Sequence, residues 1–91
     1  MAENDPLLEK AIASDREALG RVVMRHAPEI RALLAARLDT RLRATVDIDD
    51  VMSVTCTEAC LSIGSFVPTG DGSFAAWLTR MAENNLHDAQ Q

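Results

Sequence analysis

The sequence predicts an all-α fold, a compact bundle of about four helices. Three observations carry this. Apolar residues recur at three- and four-residue intervals, helix-start signals stand before the periodic segments, and no segment keeps the strict alternation that a half-buried strand needs. The chain also contains no Tyr.

Each element has its own justification. Asp5 followed by Pro6 opens the first helix, because proline is tolerated at the first helical position, and "LLEKAIA" carries it to Ser14. "SDRE", Ser14 to Glu17, has capping-box spacing with Ser14 as the cap. It precedes a stripe of Leu19, Val22, Val23, His26, Ile30, Leu33, Leu34 and Leu38 along a long second helix. Pro28 lies inside that helix and removes one backbone donor, so a kink or a split near His26 and Ala27 is expected. Asp39 to Asp47 breaks the period and reads as a connecting loop. Asp47 caps a third helix that ends near Gly64, with Asp49 and Asp50 in the first turn, where the helix dipole favours negative charge. "VPTGDGS" is loop chemistry, and Ser73 is the expected cap of a final helix with Phe74, Trp77, Leu78, Met81, Ala82 and Asn85 on one face.

A chain of 91 residues with 47% apolar content holds one core, so a single domain over 1–91 is expected. The longest uninterrupted apolar run, Ala32 to Ala36, is far too short to cross a bilayer, and the acidic start "MAENDP" is unlike a signal peptide. A cytoplasmic location without membrane contact is expected. Two cysteines make no disulfide framework. The net charge of −5 is uneven: residues 1–45 carry about +1, and residues 46–91 carry −6 with Arg80 as their one Lys or Arg. Sequence-independent DNA affinity comes mostly from Lys and Arg releasing counterions, so the second half repels phosphate.

No phosphate-cradling glycine pattern, metalloprotease helix or nucleophile elbow is present, and the expected role is not enzymatic. Cys56 and Cys60 share a helix face at i and i+4 and, with His26 and His87, sketch a Cys2His2 zinc site. Thiols packed as small hydrophobes are the expected reading, with no metal and no cofactor. Trp77 is expected in the core. Asn84 and Asn85 do nothing for the helix, which points to an external hydrogen bond for at least one of them.

The combination of "DDVMSV", Phe66 and Phe74 with seven residues between them ahead of "WL" at Trp77 and Leu78, "MAENNLHDA", and the "DREALG" opening of the second helix resembles domain 2 of bacterial RNA polymerase sigma factors of the extracytoplasmic-function group. The resemblance covers nearly the whole chain. It implies a helical transcription-initiation domain that docks on the clamp helices of the polymerase β′ subunit and recognises the promoter −10 element. It places the polymerase-binding face on the third helix, at Asp49, Asp50, Ser53, Val54 and Glu58. It places DNA contacts at Val67, Thr69, Gly70 and Asp71 of the loop that helps hold a flipped base, and at Arg80, Asn84, Asn85, His87, Asp88 and Gln91. Gly70 and Gly72 are expected to permit close backbone approach there. The chain departs from the family at Ser53, where Gln is common, at Glu83, where a basic residue is frequent, and at Gln90 and Gln91, where Arg usually ends the domain. The family's second, −35-reading domain is not expected within these residues. An alternative follows from the acidic second half: a degenerate sigma-like interaction domain that binds polymerase or an anti-sigma factor without gripping DNA.

Overall fold

A computed structural model of the protein describes residues 6–13, 15–38, 41, 45–70 and 72–90. Asp5 and Ser14, expected to start the first two helices, and the loop residues 39–40 and 42–44 lie outside the described residues. The elements are α1 (Pro6–Ile12), α2 (Arg16–Arg37), α3 (Ile48–Ser62), a 3₁₀ turn (Ile63–Ser65) and α4 (Ser73–Ala89). Among the described residues there is no strand.

The start of α2 corrects the expected cap. Asp15, in extended conformation, is the N-cap, and its carboxylate accepts from the backbone N–H of Ala18 at 3.1 Å. Ser14 and Asp15 are both good caps, and the carboxylate adds a favourable charge at the positive end of the helix dipole. Pro28 does not split α2, which runs unbroken through it. Met24, the i−4 residue that loses its donor, is 73% exposed, and Pro28 is also exposed, so the missing bond falls on the solvent side. Asp47 caps α3 as expected, accepting from the N–H of Asp49 at 2.8 Å. At α4 the cap is Gly72, not Ser73: its φ of +81° suits glycine, and Ser73 is the first helical residue.

One core joins these elements. The α2 stripe behaves as its spacing requires, with Leu19, Val22, Val23, Ile30, Leu34 and Leu38 buried and His26 and Leu33 half-buried. Helix α2 packs against each of the other three helices, and α3 pairs with α4. Ala11, Ala59 and Ala82 have no exposed surface, and small side chains at such positions let helix backbones come close. Val51, Met52 and Ala59 of α3 and Phe74, Leu78, Ala82 and Leu86 of α4 complete the shared interior. This arrangement turns the remaining faces of α3 and α4 outward, where the candidate site lies.

Candidate functional site

On α3 the residues that are not in the core form a strip. With about 100° of rotation per residue, Asp50, Val54, Thr57, Glu58 and Leu61 share one face, and all five are exposed. Val54 at 50% and Leu61 at 83% exposure are large apolar groups left in water, Val54 between the carboxylates of Asp50 and Glu58 and Leu61 beyond Glu58. Leu61 was not among the expected contacts, although its spacing of seven residues from Val54 marks the same face. Ser53 is exposed at the edge of the strip, and its carbonyl accepts from the Thr57 hydroxyl at 3.1 Å.

The acidic residues differ in their commitments. Asp49 forms an ion pair with Arg31 of α2. Among the described residues, no cation pairs with Asp50. Glu58 accepts a hydrogen bond from the side-chain amide of Asn85 on α4 at 2.6 Å. The same amide donates to the hydroxyl of Thr55 at 3.0 Å, and Thr55, fully buried, donates in turn to the Val51 carbonyl at 2.8 Å. Asn85 therefore faces α3, where sequence spacing alone gave it no partner.

Among the described residues, two hollows lie against α4. One, of about 430 Å³, lies between the start of α3 and the end of α4 and brings Asp50, Val54, Asn85 and Asp88 together. Two of the residues expected to read DNA, Asn85 and Asp88, thus share a groove with two expected to bind polymerase, Asp50 and Val54. The other, of about 350 Å³, is formed by the 3₁₀ turn, the loop and the first half of α4, with Phe66, Val67, Thr69, Trp77 and Arg80 among its walls. Arg80 is the one Lys or Arg after residue 45.

The loop over this second pocket is pinned at both ends. Phe66 before it and Phe74 after it are buried, and both stack on Trp77, with centroids 5.1 and 5.6 Å away. Trp77 is half-buried: it serves the core as expected and also lines the pocket. The Thr69 N–H donates to the Ser73 hydroxyl at 3.3 Å, and the Ser73 N–H donates to the Gly70 carbonyl at 3.1 Å. Gly70 has φ +144°, and beyond the glycine and its chain neighbours no protein atom lies within 4 Å of where a Cβ would stand at Gly70 or Gly72. Their requirement is backbone conformation, not a close approach within the chain. Val67 is 70% exposed, while Asp71 lies outside the described residues.

From the pocket a polar stripe continues along α4. Arg80, Asn84 and His87 fall within about 60° of one another around the helix, and all three are exposed. Glu83 instead forms an ion pair with Arg37 of α2. Asp88 is exposed on the side facing the α3 groove, and Gln91 lies outside the described residues.

The thiols correct one expectation. Cys56 is half-buried against the core, but Cys60 is exposed, because the buried face of α3 runs through Val51, Met52, Thr55 and Ala59. Burial pushes the Cys56 thiol above its usual range, the neighbouring Cys60 adds to this, and Arg31 opposes it. His26 packs on Phe74, centroids 5.7 Å apart, whereas His87 stands on the exposed face of α4.

Among the described residues no helix is long and apolar enough to cross a membrane. Residues 22–90 match the family model described as sigma-70 region 2. No curated protein and no solved structure matches the chain. In sigma factors this region takes part in core RNA polymerase binding and in −10 recognition, as a non-catalytic part of transcription initiation. With a match that begins within α2 and takes in all of α3, the loop and α4, the chain belongs to the sigma-70 region 2 family.

Proposed function

We propose that this chain is a domain 2 of the extracytoplasmic-function group, one that docks on the β′ clamp helices of core polymerase through α3 and presents the loop and α4 to single-stranded −10 DNA. The observation that carries this reading is the pocket of about 350 Å³ beneath the loop. Its walls combine a half-buried indole with the one Lys or Arg of the second half of the chain. An extruded base needs that pairing, an apolar flat surface to replace its stacking and a positive group near its phosphate. The stripe of Arg80, Asn84 and His87 leads away from the pocket as a track for the adjoining strand. On α3, Asp50 and Glu58 with Val54 and Leu61 between and beyond them suit a basic amphipathic partner helix. Work alongside polymerase places the protein in the cytoplasm.

A second reading has its own observation. Helix α4 offers phosphate one Lys or Arg, Arg80, against the carboxylates of Glu83, which is held by Arg37, and Asp88. This favours an interaction domain that binds polymerase or an anti-sigma factor and leaves DNA alone. The test is fluorescence anisotropy of a labelled −10 non-template strand titrated with the chain bound to a β′ clamp-helix fragment. Base-dependent binding supports the first reading. Fragment binding with no DNA signal at any sequence supports the second.

A further inference from the structure

The resemblance sets Asn85 among the DNA contacts, yet its amide is committed to α3. Thr55 has given its hydroxyl proton to the Val51 carbonyl, so its oxygen can only accept, and the Glu58 carboxylate is acceptor-only. Both neighbours demand the NH₂ side of the amide, which fixes its orientation. The resulting chain of bonds starts in the fully buried Thr55 and ends on an exposed carboxylate of the docking strip.

Glu58 stands eight residues from Asp50, about 12 Å along the helix. A free glutamate at such a position is rotamer-rich, and freezing it on binding weakens association by about twofold to tenfold. Asn85 freezes it in advance. It does so without exhausting the group, since a carboxylate offers about four lone-pair sites and Asn85 occupies one. From these bonds we infer that Asn85 is a positioning residue for the polymerase-facing strip, holding Glu58 as a second anionic anchor beside Asp50, and that it does not read DNA. This rests on the reading that α3 docks on polymerase.

The test is a double-mutant cycle on the 91-residue chain, with calorimetric titration of a β′ clamp-helix fragment into wild type, Asn85→Ala, Glu58→Ala and the double variant. Thermal melts of each variant give the folded fraction used in the fits. Asn85→Ala is expected to weaken binding by about twofold to tenfold when Glu58 is present and to change nothing in the Glu58→Ala background. Thr55→Val, which keeps the buried volume and removes the acceptor for Asn85, should act in the same direction and again only with Glu58 present. Equal losses in both backgrounds would assign Asn85 to the fold alone and overturn the inference while polymerase docking stands. No loss in either background would overturn it too. A wild-type chain that fails to bind the fragment would remove the docking reading and the inference together.

Discussion

Phe66 meets Phe74 edge to face, ring centroids 5.7 Å apart and planes at 89°, so the residue that enters the loop and the residue that leaves it share one contact. Aromatic pairs favour this geometry because the positive edge of one ring faces the negative face of the other. Phe74 is 1% exposed and also touches His26 and Trp77. Phe74→Ala should therefore destabilise the domain by about 3–5 kcal/mol, a large share of the stability of a domain this small. Val67→Ala, on the exposed loop, should stay within about 0.5 kcal/mol of wild type. Urea denaturation of both variants measures the contrast.

Asp50→Ala should weaken binding of the β′ clamp-helix fragment by about thirtyfold, the effect of removing one partner of a well-made interfacial charge pair. Asp49→Ala should do much less, because its carboxylate already faces Arg31. The helix start survives either change, since the Asp47 cap remains. Calorimetric titration separates the two, and equal effects would move the interface off the α3 strip.

Much of the fold was legible because it is written in short-range chemistry. Asp47 caps α3 and sets Asp49 and Asp50 in its first turn, and the α2 stripe needs only its own spacing. Adjacent alternatives blurred the details: Ser14 stands beside Asp15 and Gly72 beside Ser73, and in each pair both residues are plausible caps. The glycine prevails at α4 because the chain turns there with positive φ, a requirement set by the loop as a whole. Pro28 is tolerated because its missing bond faces solvent, which depends on how α2 is rotated in the bundle. Long-range ties left no local trace. Asn85 and Glu58 are 27 residues apart, and neither residue's neighbours announce the other. The Arg37 and Glu83 pair, across α2 and α4, is equally silent in the sequence, so a Glu that departs from the family pattern acquires its explanation only in three dimensions.

The two cysteines should differ in reactivity. Cys60 is exposed and Cys56 is half-buried with its thiol held protonated, mainly by burial, so iodoacetamide at pH 8 should modify Cys60 first and Cys56 slowly. Peptide mass spectrometry over a time course reads the order. The sign of the linked pH dependence follows. A thiol whose folded pKa is raised contributes stability that is complete below the unfolded value, about 8.5, and lost as pH rises through the folded value. Cys56→Ala should flatten the loss of stability on the alkaline side and leave the curve near neutral pH unchanged in slope. Metal analysis after dialysis should find no zinc, since the two thiols supply half of a tetrahedral site.

DNA binding by the isolated chain should be weak and confined to single strands, because residues 46–91 carry −6 and each absent phosphate contact removes part of the counterion-release effect. Where charge is added matters. Glu83→Arg would break the pair with Arg37 and set two guanidinium groups against each other, so any gain in DNA affinity would be mixed with lost stability. Asp88→Arg avoids this: the residue is exposed in the last turn of α4, where a cation is favoured by the helix dipole. It should strengthen binding to every single strand alike and steepen the dependence on salt by about one to two counterions. Asn84→Ala should instead weaken only the preferred −10 strand and leave the salt slope unchanged, because an amide contributes hydrogen bonds and no charge. Anisotropy across a salt series distinguishes the two kinds of effect. Tight, steeply salt-dependent binding of duplex DNA by the unmodified chain would contradict the reading, since it requires a basic surface that neither α4 nor the loop supplies among the described residues.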